Sequence, residues 1–161
     1  MVEELKVIRM MRQVRNILTV LFWSLLATSV LLAVLFETEV LPTGLWTEYL
    51  QAEFLCRCTM EVLTLVAIWL SLRLFKMKRV HADLVARKEE ALRKWGIVRL
   101  LMIEVPMLLN TLLYYMYMQT TYGYMAIILL LTLPFVYPSM DRCLGDVEEE
   151  PAPKEEEGKE A

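Results

Sequence analysis

The chain has 161 residues, of which 57% are hydrophobic, and its mean hydropathy is +0.44, whereas soluble domains contain roughly 45–50% apolar residues. One histidine, three cysteines and five glycines are too few for a disulfide framework, a histidine-rich metal site or a glycine-rich nucleotide loop. We therefore expect no metal and no cofactor, and no nucleic acid among the partners.

The chain begins with a basic segment that leads into an apolar run. Residues 1–16 carry four basic side chains and form a basic N-terminal segment. Residues 17–36 carry no charge, and about 20 apolar residues are enough to cross the hydrocarbon core of a bilayer. The run is longer than the apolar core of a signal peptide, and it is followed by no small-residue cleavage pattern. We predict that it remains in the chain as a membrane anchor.

Three further apolar runs predict three more membrane-spanning helices, at about 56–75, 96–118 and 122–140. In lipid, only a helix satisfies the hydrogen bonds of its own backbone within one segment. The predicted fold class is therefore an all-α integral membrane protein. Residues 17–145 form a four-span membrane domain, with two antiparallel hairpins in an up-down bundle.

The connections between the spans also carry local signals. Pro42-Thr43-Gly44 is typical of a turn, and the apolar spacing from Leu45 to Phe54 predicts an interfacial helix after it. In the second connection, Asp83 is a good N-cap residue, and acidic residues precede basic ones by four positions. We expect a helix from Asp83 unbroken into the third span, with an apolar stripe against the second span. The pairs concerned are Asp83–Arg87, Glu89–Arg93 and Glu90–Lys94.

The C-terminal segment has a different composition from the rest of the chain. Residues 146–161 contain eight acidic residues and two lysines, and after Val147 they include no apolar residue larger than alanine. Such a segment buries too little apolar surface to order itself. We predict a disordered acidic tail.

The distribution of basic residues predicts the orientation in the membrane. The segment from Arg73 to Arg99 carries nine basic residues, whereas residues 37–57 hold one arginine and four glutamates. Because basic loops stay on the cytoplasmic side, both termini are expected in the cytoplasm. The basic loop should attract anionic lipid headgroups. The chain resembles the small four-span proteins common in bacterial inner membranes, which implies that location and no mechanism.

Polar residues inside the predicted spans are the candidate functional residues, because intramembrane charge is costly. Glu104 lies in the third span with Asn110 six residues later, and Pro106 between them removes a backbone hydrogen bond. Glu104 and Asn110 are consistent with a proton or cation path in a homo-oligomer. The alternative is an interhelical tie in which Arg73, on the second span, pairs with Glu104. Arg57 and Glu61 are expected to pair at the outer end of the second span.

Cys56 and Cys58 flank Arg57, which would favour a thiolate. With both termini inside, a cysteine pair at the outer end of the second span resembles the quinone-linked disulfide-generating membrane oxidases. That resemblance implies a thiol oxidoreductase that uses Cys56 and Cys58. The family's pair has two intervening residues and its third connection holds a second pair, whereas this chain has one intervening residue and no cysteine in residues 119–121.

The sequence favours a non-enzymatic scaffold or accessory subunit of a membrane complex, because no constellation of catalytic groups is present. A small homo-oligomeric transporter or channel is the first alternative, and the membrane thiol oxidoreductase is the second. The expected partners are the lipid bilayer and either another membrane protein or further copies of the chain.

Overall fold

The computed structural model describes residues 1–87 and 89–137, except for the side chains of Phe75 and Glu89. Within these residues the fold is all-helical and no β-strand is present, as predicted. The predicted acidic tail and residues 138–140 of the predicted fourth span lie outside the described residues. The helices are α1 (Val2–Glu37), α2 (Leu50–Arg73), α3 (Lys78–Arg87), α4 (Glu89–Tyr117) and α5 (Thr120–Val136), with a 3-10 turn at Leu74–Lys76 after α2.

Three of the described helices are long and apolar enough to cross a membrane: α1, α2 and the part of α4 from Glu90 to Tyr117. Helix α5 is apolar but has 17 residues. At 1.5 Å per residue it spans roughly 26 Å, slightly less than the roughly 30 Å hydrocarbon core of a bilayer.

Helix α1 is longer than its apolar run, because the basic segment 1–16 is helical and continuous with it. Its 36 residues extend over roughly 54 Å. Glu3 and Glu4 lie in the first turn, where negative charge stabilises the positive end of the helix dipole. The basic residues 6–15 therefore lie on a rigid extension of the first apolar helix.

Helix α4 lies at the centre of the fold, because it contacts each of the other four helices, whereas α1 packs on α4 and hardly touches α2. Helix α1 runs parallel to α4, since Leu18 lies against Gly96 and Glu37 bonds to Tyr115. A Cβ atom at Gly96 would lie only 2.8 Å from Leu18 Cδ1, so glycine permits this close approach.

Helices α2 and α5 run in the opposite direction to α4. Thr64 near the middle of α2 bonds to Asn110, and Ser71 near its end bonds to the Arg99 carbonyl. Gly123 at the start of α5 packs on Tyr114 near the end of α4. The direction of the four long helices therefore alternates along the chain.

The end of the molecule that holds the start of α1, which we call the base, is closed by an apolar cluster. Its buried members come from α1, α3, α4 and the 3-10 turn: Met11, Val14, Leu18, Leu74, Val80, Leu84, Ala91 and Leu92. Leu84, Ala91 and Leu92 of the predicted apolar stripe are thus buried, in a cluster with residues of α1 and of the 3-10 turn that follows α2. Trp95 Nε1 donates to Asp83 Oδ2 at 2.9 Å and ties α4 to α3.

The prediction that a helix begins at Asp83 is wrong, because Asp83 lies inside α3, which begins at Lys78. Of the predicted pairs, Asp83–Arg87 forms at 3.6 Å. Glu90 and Lys94 do not form an ion pair, and Lys94 instead lies 5.3 Å from the ring centroid of Trp95. The Glu89–Arg93 pair and the continuity of the helix at Lys88 lie outside the described residues.

The opposite end, which we call the apex, is covered by residues 38–49. The predicted interfacial helix does not form ahead of α2: residues 45–48 make a turn, and α2 begins at Leu50. Gly44, with φ of 71°, donates its N–H to the Tyr115 carbonyl at 2.8 Å, and Trp46 donates to the Met116 carbonyl at 3.1 Å. These bonds use carbonyls in the last turn of α4, which have no partner within that helix.

Candidate functional site

Two polar side chains of α2 and two of α4 are fully buried. Thr64 and Ser71 on α2 and Glu104 and Asn110 on α4 each have 0% exposure. A buried polar group without a partner costs free energy, so the partners of these four groups decide whether the interface is structural or functional.

Asn110 is a hydrogen-bonded link between the two helices. Its Nδ2 donates to Thr64 Oγ1 and to the Pro106 carbonyl, both at 3.0 Å. The bond to Thr64 joins α4 to α2, and the bond to Pro106 lies within α4. Asn110 Oδ1 has no partner among the described residues. Asn110 is therefore satisfied as a donor and free as an acceptor.

Ser71 forms the second link. Its hydroxyl donates to the Arg99 carbonyl at 3.2 Å. The links at Thr64–Asn110 and Ser71–Arg99 bracket Glu104 in the register of the two antiparallel helices. The residue of α2 at the same level is Ala67, a small buried side chain.

Glu104 has no hydrogen-bond or ion-pair partner among the described residues, although both of its carboxylate oxygens are buried. Its neighbours along α4, Ile103 and Met107, belong to an apolar cluster with residues of α1 and α5. A buried unpaired carboxylate is costly, so Glu104 is the least satisfied polar residue in this interface.

The predicted pair between Arg73 and Glu104 does not form. Arg73 is exposed, and its guanidinium lies 5.3 Å from the ring centroid of Trp69 on its own helix. Glu104 is level with Ala67, and six residues of helix separate Ala67 from Arg73 by roughly 9 Å. The tie fails because of this distance and because Arg73 lies on the outer surface of α2.

At the apical end of α2, Arg57 pairs with Glu53 at 3.6 Å rather than with Glu61, which was the predicted partner. Glu53 precedes Arg57 by four residues, which is the favourable order for an acid and a base on a helix. Glu53 is buried and its carbonyl accepts the Tyr122 hydroxyl at 3.3 Å, while Glu61 forms no ion pair among the described residues. Sequence reasoning missed Glu53 because it lies before the predicted span.

The two cysteines are free thiols on different sides of α2. Cys56 is half-buried against a cluster that includes Met60 and Tyr122, and Cys58 is exposed. Residues two apart on a helix point in nearly opposite directions, and a disulfide needs Cβ atoms about 3.5–4.5 Å apart. A Cys56–Cys58 bond would require α2 to unwind locally, so the geometry does not favour the redox alternative.

Thr64 and Ser71 were missed by the sequence reasoning, which considered only charged residues and Asn110. A signal for them does exist, because the buried positions of α2 are Glu53, Met60, Thr64, Ala67 and Ser71, and their spacing of seven, four, three and four residues marks one helix face. Small and hydroxyl side chains on one face are typical of a tight contact between membrane helices.

The described residues contain no group of three or more His, Cys, Asp or Glu side chains placed to hold a metal ion. Comparison of the chain with protein-family models, with curated proteins and with solved structures gave no match. The polar interface is therefore interpreted from its own geometry.

We predict that Thr64→Val lowers the free energy of unfolding in detergent by about 0.6 kcal/mol and by no more than about 1.7 kcal/mol, the average and the maximum for hydrogen bonds between membrane helices. Valine keeps the shape but removes the acceptor of Asn110. Thr59→Val is the matched control, because the Thr59 hydroxyl is exposed and bonds within its own helix to Leu55. Equal melting temperatures for the two variants would contradict the structural role of the Thr64–Asn110 link.

Proposed function

We propose that this chain is a non-enzymatic integral membrane protein that serves as a scaffold or accessory subunit of a larger membrane complex. One observation carries the membrane part of the proposal: the polarity of α2 is the reverse of that in a soluble protein. Leu55, Val62 and Leu65 are 67%, 63% and 59% exposed, whereas Thr64 and Ser71 are 0% exposed. Lipid tails solvate such an apolar surface, and water does not.

The proposed topology has four crossings, by α1, α2, α4 and α5, with both termini in the cytoplasm of a bacterium. Two facts support it. The long helices alternate in direction, and the basic residues of segments 1–16 and 73–99 lie toward the base. The positive-inside rule then places the base in the cytoplasm. The crossing by α5 is short, with an apolar helix of 17 residues in the part of the chain that the structure describes.

Reporter fusions distinguish four crossings from three. We expect a reporter fused before Met1 and a reporter fused after Ala161 to be active on the cytoplasmic side only, because an even number of crossings returns the chain to its starting side. A C-terminal reporter active only outside would leave three crossings and contradict the proposed role of α5. A fusion within residues 38–49 is the control and should be active outside.

The accessory role is supported by the uncovered surface of α1. Only 17% of its most apolar 18-residue window is buried, compared with 22% for α2 and 44% for α4. Val20, Val30 and Leu31 are each more than half exposed on this helix. A partner helix that packs on α1 would cover the face that α4 leaves open.

We expect native mass spectrometry of the gently extracted protein to show a stoichiometric second protein, and Leu31→Trp to remove it by adding bulk to the docking face. The matched control is Leu65→Trp on α2, because Leu31 and Leu65 are 58% and 59% exposed. Retention of the partner by Leu31→Trp would contradict docking on α1. A homo-oligomer without any second protein would contradict the accessory role.

A second function is favoured by one observation, the unpartnered carboxylate of Glu104. Both of its oxygens are buried acceptors without a partner among the described residues, and a proton or cation would give them one. Four membrane-spanning helices are too few to enclose a polar route by themselves, so transport by this chain would need a homo-oligomer.

For this second function, Glu104→Gln should reduce proton-coupled flux in liposomes to the level of empty liposomes without lowering the melting temperature, because a neutral amide is cheaper to bury than an unpaired carboxylate. The amide is nearly isosteric but carries no exchangeable charge. Glu61→Gln is the control, because Glu61 lies on the same bundle without being fully buried. Absence of flux in the unmodified protein, or equal flux in the two variants, would argue against transport through Glu104.

A further inference from the structure

A cavity of about 350 Å³ opens at the apex between the end of α1, the end of α4 and the start of α5. Its wall combines one carboxylate with three aromatic rings: Glu37 from α1, Tyr114 and Tyr115 from α4, and Tyr124 from α5. None of these residues belongs to the polar interface around Glu104.

The carboxylate of Glu37 is held in place by a tyrosine. Tyr115 donates its hydroxyl to Glu37 Oε1 at 2.9 Å, and the Tyr115 ring is stacked on Phe36 with centroids 4.6 Å apart. The second oxygen, Oε2, has no hydrogen bond among the described residues. Tyr115 is 9% exposed. It therefore lines the cavity and does not lie on the outer surface, where interfacial tyrosines are found.

Tyr114 reaches the cavity because α5 has a glycine opposite it. A Cβ atom at Gly123 would lie 3.2 Å from Tyr114 Cδ2, which is closer than ordinary packing allows. The Tyr114 ring also meets the Tyr115 ring edge to face at 4.9 Å between centroids. Tyrosine rings that line a cavity beside a carboxylate favour an organic cation, above all a quaternary ammonium group.

The charge around this cavity is negative. The last turn of α1 contains no basic residue, and Glu39 and Glu48 follow Glu37 in the apical connection. Arg57 is the one basic residue between positions 37 and 57, and it is engaged by Glu53. No described basic side chain of the connection neutralises Glu37, so a cationic ligand meets an uncompensated carboxylate.

The cavity continues downward as an apolar seam. A second cavity of about 150 Å³ shares Thr111, Ala126 and Ile127 with the first and is lined further by Val30 and Leu130. A ligand that fits both cavities would place a charged head beside Glu37 and an apolar chain along the seam. Such a ligand is an amphiphile.

We propose that this apical cavity binds an amphiphilic organic cation, with its ammonium group against Glu37 and the tyrosine rings and its apolar chain between α1, α4 and α5. The ligand is either a phospholipid with an ammonium headgroup or a soluble alkylammonium compound, since both present the same chemistry. This inference goes beyond the accessory role and does not depend on it.

The test uses the full chain in a neutral detergent with octyltrimethylammonium as the probe and octanol as the uncharged comparison. We expect saturable binding of the probe at least about tenfold tighter than that of octanol, because the charged head gains cation–π and ionic contacts. Octanol binding as tightly as the probe would overturn the proposal.

Glu37→Gln should weaken binding of the probe by about tenfold or more, while glutamine still accepts the Tyr115 hydroxyl and preserves the fold. Glu48→Gln is the matched control, because Glu48 is exposed in the same connection and does not line the cavity. Equal losses in the two variants would show bulk electrostatics and overturn the site. Tyr114→Phe keeps the aromatic face and should bind the probe as the unmodified protein does.

Ala126→Phe provides a variant that leaves every charged group in place. It fills the seam and should weaken binding of the octyl probe without altering binding of tetramethylammonium, which has no chain. Unchanged binding of the octyl probe would contradict the seam. Lipid mass spectrometry then identifies the source: an ammonium-headed phospholipid retained by the protein and lost in Glu37→Gln indicates lipid, and its absence with intact probe binding indicates a soluble cation.

Discussion

The contact between α2 and α4 is the constraint on which the rest of the structure depends. Its two hydrogen bonds, from Asn110 to Thr64 and from Ser71 to the Arg99 carbonyl, fix the register of antiparallel helices. Apolar packing alone specifies the register of two helices weakly, because one apolar side chain can replace another of similar volume at little cost in free energy. With α2 and α4 fixed, α5 packs on both and α1 completes the opposite side of α4.

The surroundings of Glu104 that the structure describes offer it no partner. Ile103 and Met107, its neighbours on α4, belong to an apolar cluster with residues of α1 and α5. A carboxylate in such surroundings lowers stability, and stability is small enough that a cost of a few kcal/mol matters. A buried unsatisfied polar group in an otherwise well-paired interface calls for an explanation. A functional role for the Glu104 carboxylate would be such an explanation, and transport is therefore the second proposed function.

Sequence reasoning found the helices because apolar runs are a local property of the chain. The predicted span 17–36 lies within α1. Glu104 and Asn110, the polar residues noted inside the third predicted span, are both buried in α4. Contacts between helices were harder to predict. The partner of a side chain depends on the rotation of each helix about its axis and on the register of the two helices, and neither is encoded in a single apolar run. Arg73 therefore lies over Trp69 rather than beside Glu104. Likewise, the predicted first hairpin pairs α1 with α2, its neighbour in the chain. In the structure α1 packs on α4 instead, where Gly96 permits a close approach.

The two ends of the molecule differ in a way that follows from their sequences. At the base, Leu84 and Leu92 are fully buried and basic side chains remain outside the apolar cluster. At the apex, carbonyls of Tyr115 and Met116 accept N–H groups from the connection. Both ends have open space beside the helices, but its walls differ. A cavity of about 580 Å³ on the side of the base lies between apolar residues of α1 and α4 such as Ile17 and Leu101, whereas the apical cavity is lined by the Glu37 carboxylate and three tyrosines. The chemistry of the wall, and not the presence of space, therefore distinguishes the apex from the base.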